Sequence, residues 1–191
     1  MRKSDLTSDG AGAVFCLLRR LPRRRLLPAV NEALQFDAAP LVLQRVGIRP
    51  EWLNASGHLR AAQYIVLFDQ AIEAFLERIG LSGARNSAAA PFLLEMHTCY
   101  QKELHEGDEV RIEVQALGVA DKRVHLIMFM RTRAGEIAAT TELAIANVAL
   151  EGRRAQPWTA QQRDTLAALM RAHTGLAVPP QAGRAIVFGS R

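Results

Sequence analysis

The sequence predicts an α+β fold, in which a curved antiparallel sheet wraps around one long central helix and a second helix follows the sheet. Two observations lead to this prediction. Apolar residues recur every three or four positions between residues 60 and 80, as they do along one face of a helix. After Pro91, four segments alternate apolar and polar residues for at least part of their length, as strands do. Because the helical stripe is wide, we expect the sheet to cover most of that helix.

The central helix is predicted from about Arg60 to Ile79. Gly80 follows at the position where helices commonly end in a left-handed residue. A turn over residues 50–59 leads into the helix. The apolar stripe consists of Tyr64, Ile65, Leu67, Phe68, Ala71, Ile72, Phe75, Leu76 and Ile79.

Short connectors between the predicted strands contain Gly or Asp, as tight turns do, so we expect sequential strands to pair antiparallel. The second helix is expected to start at Thr159, an N-cap residue with Gln162 at the capping-box position. The predicted strands cover residues 41–46, 92–104, 109–119, 123–132 and 137–150.

The positive charge of the chain lies outside its predicted domain. The 191 residues carry a formal charge of +5. The early basic residues are Arg2, Lys3, Arg19, Arg20, Arg23, Arg24 and Arg25, and the remainder is close to neutral. We therefore expect no nucleic-acid partner for the domain. The predicted organisation is a basic, disordered extension over 1–39, the domain over 40–152, and a C-terminal helix and tail over 153–191.

Cysteine content and hydropathy exclude further classes of protein. Cys16 and Cys99 are too few and too poorly placed for a disulfide framework or a metal site, so we expect no bound metal and a cytoplasmic location. No apolar run approaches the roughly 20 residues that a membrane-spanning helix needs, so none is expected.

The turn before the central helix reads Pro-Glu-Trp-Leu-Asn-Ala-Ser-Gly-His-Leu-Arg over residues 50–60. This stretch resembles acyl-CoA thioesterases of the hotdog fold, in the 4-hydroxybenzoyl-CoA thioesterase-like, carnitine/betaine-type group. That group carries Pro-Glu-Trp-x-Asp-x-Asn-Gly-His-Met-Asn at this place. The resemblance continues at Glu95, His97, Tyr100, Glu103, Leu104, Gly107 and Asp108.

The resemblance implies hydrolysis of a small or medium acyl-CoA thioester by a homodimer or homotetramer, without a cofactor. In the family, an aspartate of the turn acts on the thioester as nucleophile or as base. Here that position is Asn54. An amide accepts no proton near neutral pH and cannot fill either role. A non-catalytic acyl-thioester-binding or scaffold protein of the same fold is therefore the alternative function.

The candidate catalytic residues are Asn54, His58 and Glu95. His58 is either a proton shuttle or a ring that holds the turn. Strand alternation places Glu95 on the same face as Leu93 and His97. That face meets either the helix or solvent, and the resemblance favours the cleft, where Glu95 could activate water.

The candidate substrate-binding residues are Gly57, Ala61 and Tyr64. Gly57 lets backbone approach a ligand closely. By resemblance, the N–H group near Ala61 at the start of the helix polarises the thioester carbonyl, as the free N–H groups of a helix N-terminus can. The resemblance also covers Tyr64 as a helix residue.

Overall fold

The computed structural model describes residues 34–82 and 87–186. These residues belong to one compact unit, Ala33–Arg191. Most of the predicted extension 1–39 lies outside the described residues, but Phe36 packs against the core. The elements are β1 Leu41–Gly47, a short 3-10 turn Pro50–Trp52, α1 Ala61–Arg78, β2 Ala89–Tyr100, β3 Glu109–Val119, β4 Arg123–Thr132, β5 Ile137–Ala149 and α2 Ala160–His173.

The five strands form one antiparallel sheet in the order β1-β3-β4-β5-β2, so the α+β prediction is confirmed. The register aligns core side chains across the sheet, with Val114 opposite Met128 and Leu126 opposite Leu143. β1 and β2 are the two edge strands, which leaves the outer backbone groups of β2 open to pairing.

The predicted pairing of residues 92–104 with 109–119 across a short turn is wrong. β2 ends at Tyr100 and pairs with β5, while β3 pairs with β1 on the other side of the sheet. Residues 101–108 form a crossing segment between them. Leu104 is fully buried in this segment and its carbonyl oxygen accepts the Leu59 N–H at 2.8 Å, which anchors the segment beside the turn.

The apolar stripe of α1 forms the centre of the core, as the periodicity predicts. Phe68 and Phe75 are completely buried, and each such side chain contributes about 1.5–3 kcal/mol through burial. The side chains of the sheet that pack in the same cluster include Ile112, Val114, Leu126, Met128 and Leu143.

The second helix starts with the predicted capping box. Thr159 Oγ1 accepts the Gln162 N–H, and Gln162 Oε1 accepts the Thr159 N–H. α2 packs against β3, where His173 Nδ1 accepts the Ala116 N–H at 2.9 Å. The pairing of β1 with β3 runs only to Val114. The helix thus satisfies a backbone donor of β3 beyond the end of that pairing.

The tail after α2 is also bonded to the sheet. Gln115, which is buried in β3, donates its side-chain N–H to the Ala177 carbonyl at 3.1 Å. The Gly183 N–H donates to Glu142 Oε2 in β5 at 2.7 Å. The tail therefore spans from β3 to β5.

Acidification is expected to lower the free energy of unfolding through His173. Burial lowers the pKa of His173, which must stay neutral to accept the Ala116 N–H. A histidine with a lowered folded pKa contributes stability that is present above its unfolded pKa of about 6.5 and is lost as the pH falls below it. Urea unfolding followed by tryptophan fluorescence at pH 7.5 and 5.5 should show this loss. It should be smaller in His173→Asn, which keeps an acceptor that does not titrate, and an equal loss in both proteins would contradict this role.

Candidate functional site

The turn before α1 is closed by the side chain of Asn54. Its Oδ1 accepts the N–H of Ser56 at 2.9 Å and the N–H of His58 at 3.1 Å. The Asn54 N–H in turn donates to the His58 carbonyl at 2.8 Å. Gly57 has φ +78°, a left-handed conformation that glycine adopts without strain. Asn54 therefore shapes the turn that presents His58.

The start of α1 is open to a ligand. Arg60 is the N-cap residue and its side chain makes no capping hydrogen bond. The first N–H groups of a helix have no partner inside it, and Ala61 is exposed. Partial positive charge at a helix N-terminus favours an oxyanion. The predicted position of Ala61 at the start of the helix is therefore compatible with a bound thioester carbonyl.

Two tyrosines support this helix start. The Tyr100 hydroxyl at the end of β2 donates to the Ala61 carbonyl at 3.3 Å, and the Tyr64 and Tyr100 rings meet edge to face at 5.3 Å. Tyr64 is buried, and its hydroxyl donates to the Lys102 carbonyl at 3.1 Å. Burial raises the pKa of Tyr64, so its hydroxyl stays protonated at neutral pH. Tyr64 thus ties α1 to the crossing segment, and direct contact with substrate stays a prediction.

The crossing segment brings two more polar side chains to the turn. His58 Nδ1 lies 3.6 Å from Glu103 Oε1, and the rings of His58 and His105 meet edge to face with centroids 4.9 Å apart. His58 is 35% exposed and Glu103 is 69% exposed. A carboxylate beside Nδ1 favours the tautomer with its proton on Nδ1, which leaves Nε2 free to accept a proton.

Glu95 does not join this cluster within the chain. The register of β2 shifts between Leu93 and Glu95, so Leu93 lies opposite Ile145 while Glu95 lies opposite Ala144. The expectation that Glu95 shares the face of Leu93 is wrong because this irregularity breaks the alternation, whereas Glu95 and His97 do share a face as predicted. Glu95 is exposed and lies five residues, or about 16 Å of strand, before Tyr100, the β2 residue that contacts the helix start.

Glu95 instead lines a cavity of about 260 Å³. His97, His125 and Glu142 line the same cavity, and His125 Nε2 lies 2.6 Å from Glu142 Oε1. The structure therefore groups Asn54, Gly57, His58 and Ala61 at one site and places Glu95 at another. Whether Glu95 acts in catalysis stays a prediction.

Sequence reasoning assigned no role at the turn to Tyr100, Glu103 or His105. The only signal for Tyr100 and Glu103 was their place in the resemblance to the thioesterases, which does not say what they contact, and His105 had no signal. Local spacing could not reveal the contact, because the pairing of β2 with β5 decides where the crossing segment lies.

Comparison with known families settles the relationship. A family model described as the thioesterase-like superfamily matches residues 48–169. The chain belongs to this superfamily. The match includes the turn, α1 and the strands β2 to β5, which confirms the resemblance read from the turn residues.

Two curated relatives are similar to most of the chain. A betainyl-CoA thioesterase of Pseudomonas aeruginosa is 34% identical over 142 residues, covering 73% of this chain and 89% of the relative. An L-carnitine dehydrogenase/betainyl-CoA thioesterase of Ruegeria pomeroyi is 29% identical over 188 residues. That alignment covers 97% of this chain but 38% of the relative, so this chain corresponds to only part of the longer protein.

Solved structures confirm the hotdog fold. A Pseudomonas putida protein provisionally described as a thioesterase has a TM-score of 0.70 and 29% identity, over 80% of this chain and 99% of that one. A Staphylococcus aureus protein in complex with CoA has a TM-score of 0.74 and 24% identity, over 78% of this chain and 97% of that one. At that identity, the second match supports the fold alone.

Within residues 34–82 and 87–186, neither α1 nor α2 combines the length and apolar character needed to cross a bilayer.

Proposed function

We propose that the chain hydrolyses an acyl-CoA thioester at the turn 54–60 and the start of α1. The observation that carries the proposal is the uncapped helix N-terminus at Ala61, reached through the turn that presents His58. Membership of the thioesterase-like superfamily and similarity to a betainyl-CoA thioesterase support the reaction class. Hydrolysis needs a polarised carbonyl and a group that takes a proton from water, and this site offers both.

The thioester oxygen would face the Ala61 N–H, where the charge of the tetrahedral intermediate is stabilised. His58 Nε2 would accept a proton from water as the water oxygen bonds to the carbonyl carbon, with Glu103 stabilising the imidazolium that forms. Collapse of the intermediate breaks the carbon–sulfur bond. The departing thiolate of coenzyme A then takes the proton from His58, which leaves a free carboxylic acid.

The proposed acyl group is small or medium in size, with betainyl-CoA as the leading substrate by similarity to the Pseudomonas aeruginosa relative. The betainyl group carries a quaternary ammonium, and such a group binds well against aromatic rings. Tyr100 supplies such a ring beside Ala61, and it is 51% exposed.

A second candidate function is acyl-thioester binding without turnover. Asn54 occupies the position of the family aspartate, and its oxygen is already used by two backbone N–H groups. An amide held in this way can shape a binding turn, but it cannot attack a thioester.

Thiol release from a panel of acyl-CoAs separates the two functions. The purified full chain should release free coenzyme A slowly but measurably, fastest from betainyl-CoA or another short acyl-CoA. Binding of a non-hydrolysable acyl-CoA analogue, measured by calorimetry on the same protein, gives the comparison. Tight binding without thiol release from any member of the panel would favour the binding function.

A homodimer is the proposed assembly, with β2 edges paired across a two-fold axis. β2 is an edge strand that exposes the apolar side chains Leu93 and Leu94, which are 42% and 51% exposed. Exposed apolar edges favour strand pairing with another chain. Pairing would also cover the open site near Tyr100 at the end of β2.

The proposed location is the cytoplasm, which the low cysteine content supports.

Light scattering at micromolar protein should give the mass of a dimer, or of a tetramer built from dimers. Leu94→Lys should shift the mass towards the monomer, because it places a charge on the β2 edge that pairs in the proposed dimer. Val66→Lys is the matched control, since Val66 is a similarly exposed apolar residue on α1. A monomeric native protein would contradict the assembly.

A further inference from the structure

We propose that His58, Glu103 and His105 form a binding site for a divalent transition-metal ion such as Zn²⁺, and that an ion bound there blocks His58. Each of the three side chains offers one ligand atom, and these atoms lie within 4.8 Å of one another. The expectation of no metal rested on the scarcity of cysteines, and it did not test a site built from histidine and carboxylate. The inhibitory part of this proposal rests on the proposed role of His58 in hydrolysis.

The distance between His58 and Glu103 suits tetrahedral coordination. Histidine nitrogens and carboxylate oxygens bind Zn²⁺ at about 2.0–2.2 Å, so two ligand atoms on one tetrahedral ion are about 3.3–3.5 Å apart. His58 Nδ1 and Glu103 Oε1 are 3.6 Å apart before any adjustment. Two histidines, one carboxylate and a water molecule are a common zinc ligand set.

The backbone holds the three ligands in place from two sides. Leu104 is fully buried between Glu103 and His105, and its carbonyl accepts the Leu59 N–H at 2.8 Å. Glu103 and His105 are exposed on either side of the buried Leu104, so both side chains face outward. His58 directly precedes Leu59, so the same hydrogen bond holds the backbone of the turn beside the segment that carries the other two ligands.

Charge around the cluster also favours a cation. Asp108 Oδ2 lies 3.9 Å from His105 Nδ1 and accepts the His105 N–H of the backbone at 2.9 Å. A carboxylate beside a metal-binding histidine orients its ring and strengthens it as a ligand. The His58 and Glu103 side chains are accessible, so the site can fill and empty without unfolding.

Occupancy has a defined consequence for His58. A metal ion on Nδ1 leaves the proton of the neutral imidazole on Nε2. That nitrogen then cannot accept a proton from water, and Glu103 is held by the metal. Zinc and hydrolysis should therefore be mutually exclusive at this turn.

Calorimetric titration of the untagged, chelator-treated full chain with zinc chloride tests the site directly. We expect an ion bound at this cluster in each chain, with at least about tenfold weaker affinity in Glu103→Gln and in His105→Phe. His105→Phe keeps an aromatic ring against His58 and removes both ring nitrogens. His125→Phe is the matched control, because His125 also pairs with a glutamate but belongs to no three-ligand group in the described residues. Circular dichroism establishes that each variant is folded.

Native affinity in both Glu103→Gln and His105→Phe, or no heat of binding with the native chain at about 100 µM zinc, would overturn the site. This binding measurement stands whether or not the protein hydrolyses thioesters. In the thiol-release assay, zinc should inhibit the native chain over the concentration range in which it binds. His105→Phe should need at least about tenfold more zinc for the same inhibition. Full activity of the zinc-saturated native chain would overturn the inhibitory role.

Discussion

Replacing Asn54 by aspartate is expected to raise kcat for acyl-CoA hydrolysis about 10²–10⁴-fold, the usual contribution of a positioned acid–base group. One carboxylate oxygen can accept the Ser56 and His58 N–H groups that Asn54 Oδ1 accepts now. The second oxygen then stands where the amide nitrogen was and can act on water or on the thioester. Initial rates of thiol release over a range of substrate concentrations would separate kcat from KM.

Asn54→Ala is the control for that experiment. It removes both hydrogen bonds of the turn, which are worth about 0.5–1.5 kcal/mol each, and it supplies no carboxylate. We expect it to lower turnover. A native rate typical of thioesterases that falls in Asn54→Asp would contradict the prediction, since the amide itself would then be part of an adapted catalytic site.

Replacing His58 by glutamine is expected to lower kcat about 10²-fold or more, because glutamine can hydrogen-bond but cannot accept a proton from water. The increase in turnover with pH that a histidine base produces should also disappear. If the His58 ring only holds the turn, His58→Gln should lower activity but keep the increase in turnover with pH.

Glu95→Gln, measured in the same assay, distinguishes the two proposed bases. Glu95 lines the cavity that it shares with His97 and Glu142, and it is not in the cluster around His58. We therefore expect the larger loss in His58→Gln. Loss of turnover in Glu95→Gln with retention in His58→Gln would show that Glu95 is the base.

Periodicity predicted the elements of this fold well but not their neighbours. The spacing of Phe68 and Phe75 identified the buried face of α1, because a buried helix face produces apolar periodicity in the local sequence. The pairing of β2 with β5 produces no such pattern, since alternation indicates which face is buried and does not identify the adjacent strand. The short connector before β3 therefore predicted a hairpin where the chain crosses to the other side of the sheet.

The candidate site shows the same division. Asn54, Gly57, His58 and Ala61 are close in sequence, and the turn motif indicated that they act together. Glu103 joins them only because Leu104 is anchored to Leu59, which is a tertiary contact. A register irregularity within β2 places Glu95 and Leu93 on opposite faces, although strict alternation put them on the same one.

The hydrogen bonds of the C-terminal tail have a practical consequence for defining the shortest chain that folds. A truncated protein ending near Gly152 would contain every strand and α1, yet it would leave the buried Gln115 amide and the Ala116 N–H without their partners. An unpaired buried polar group costs about 1–3 kcal/mol. Expression of the domain for crystallisation or fusion should therefore retain the chain through Gly183, whose N–H holds the tail to Glu142.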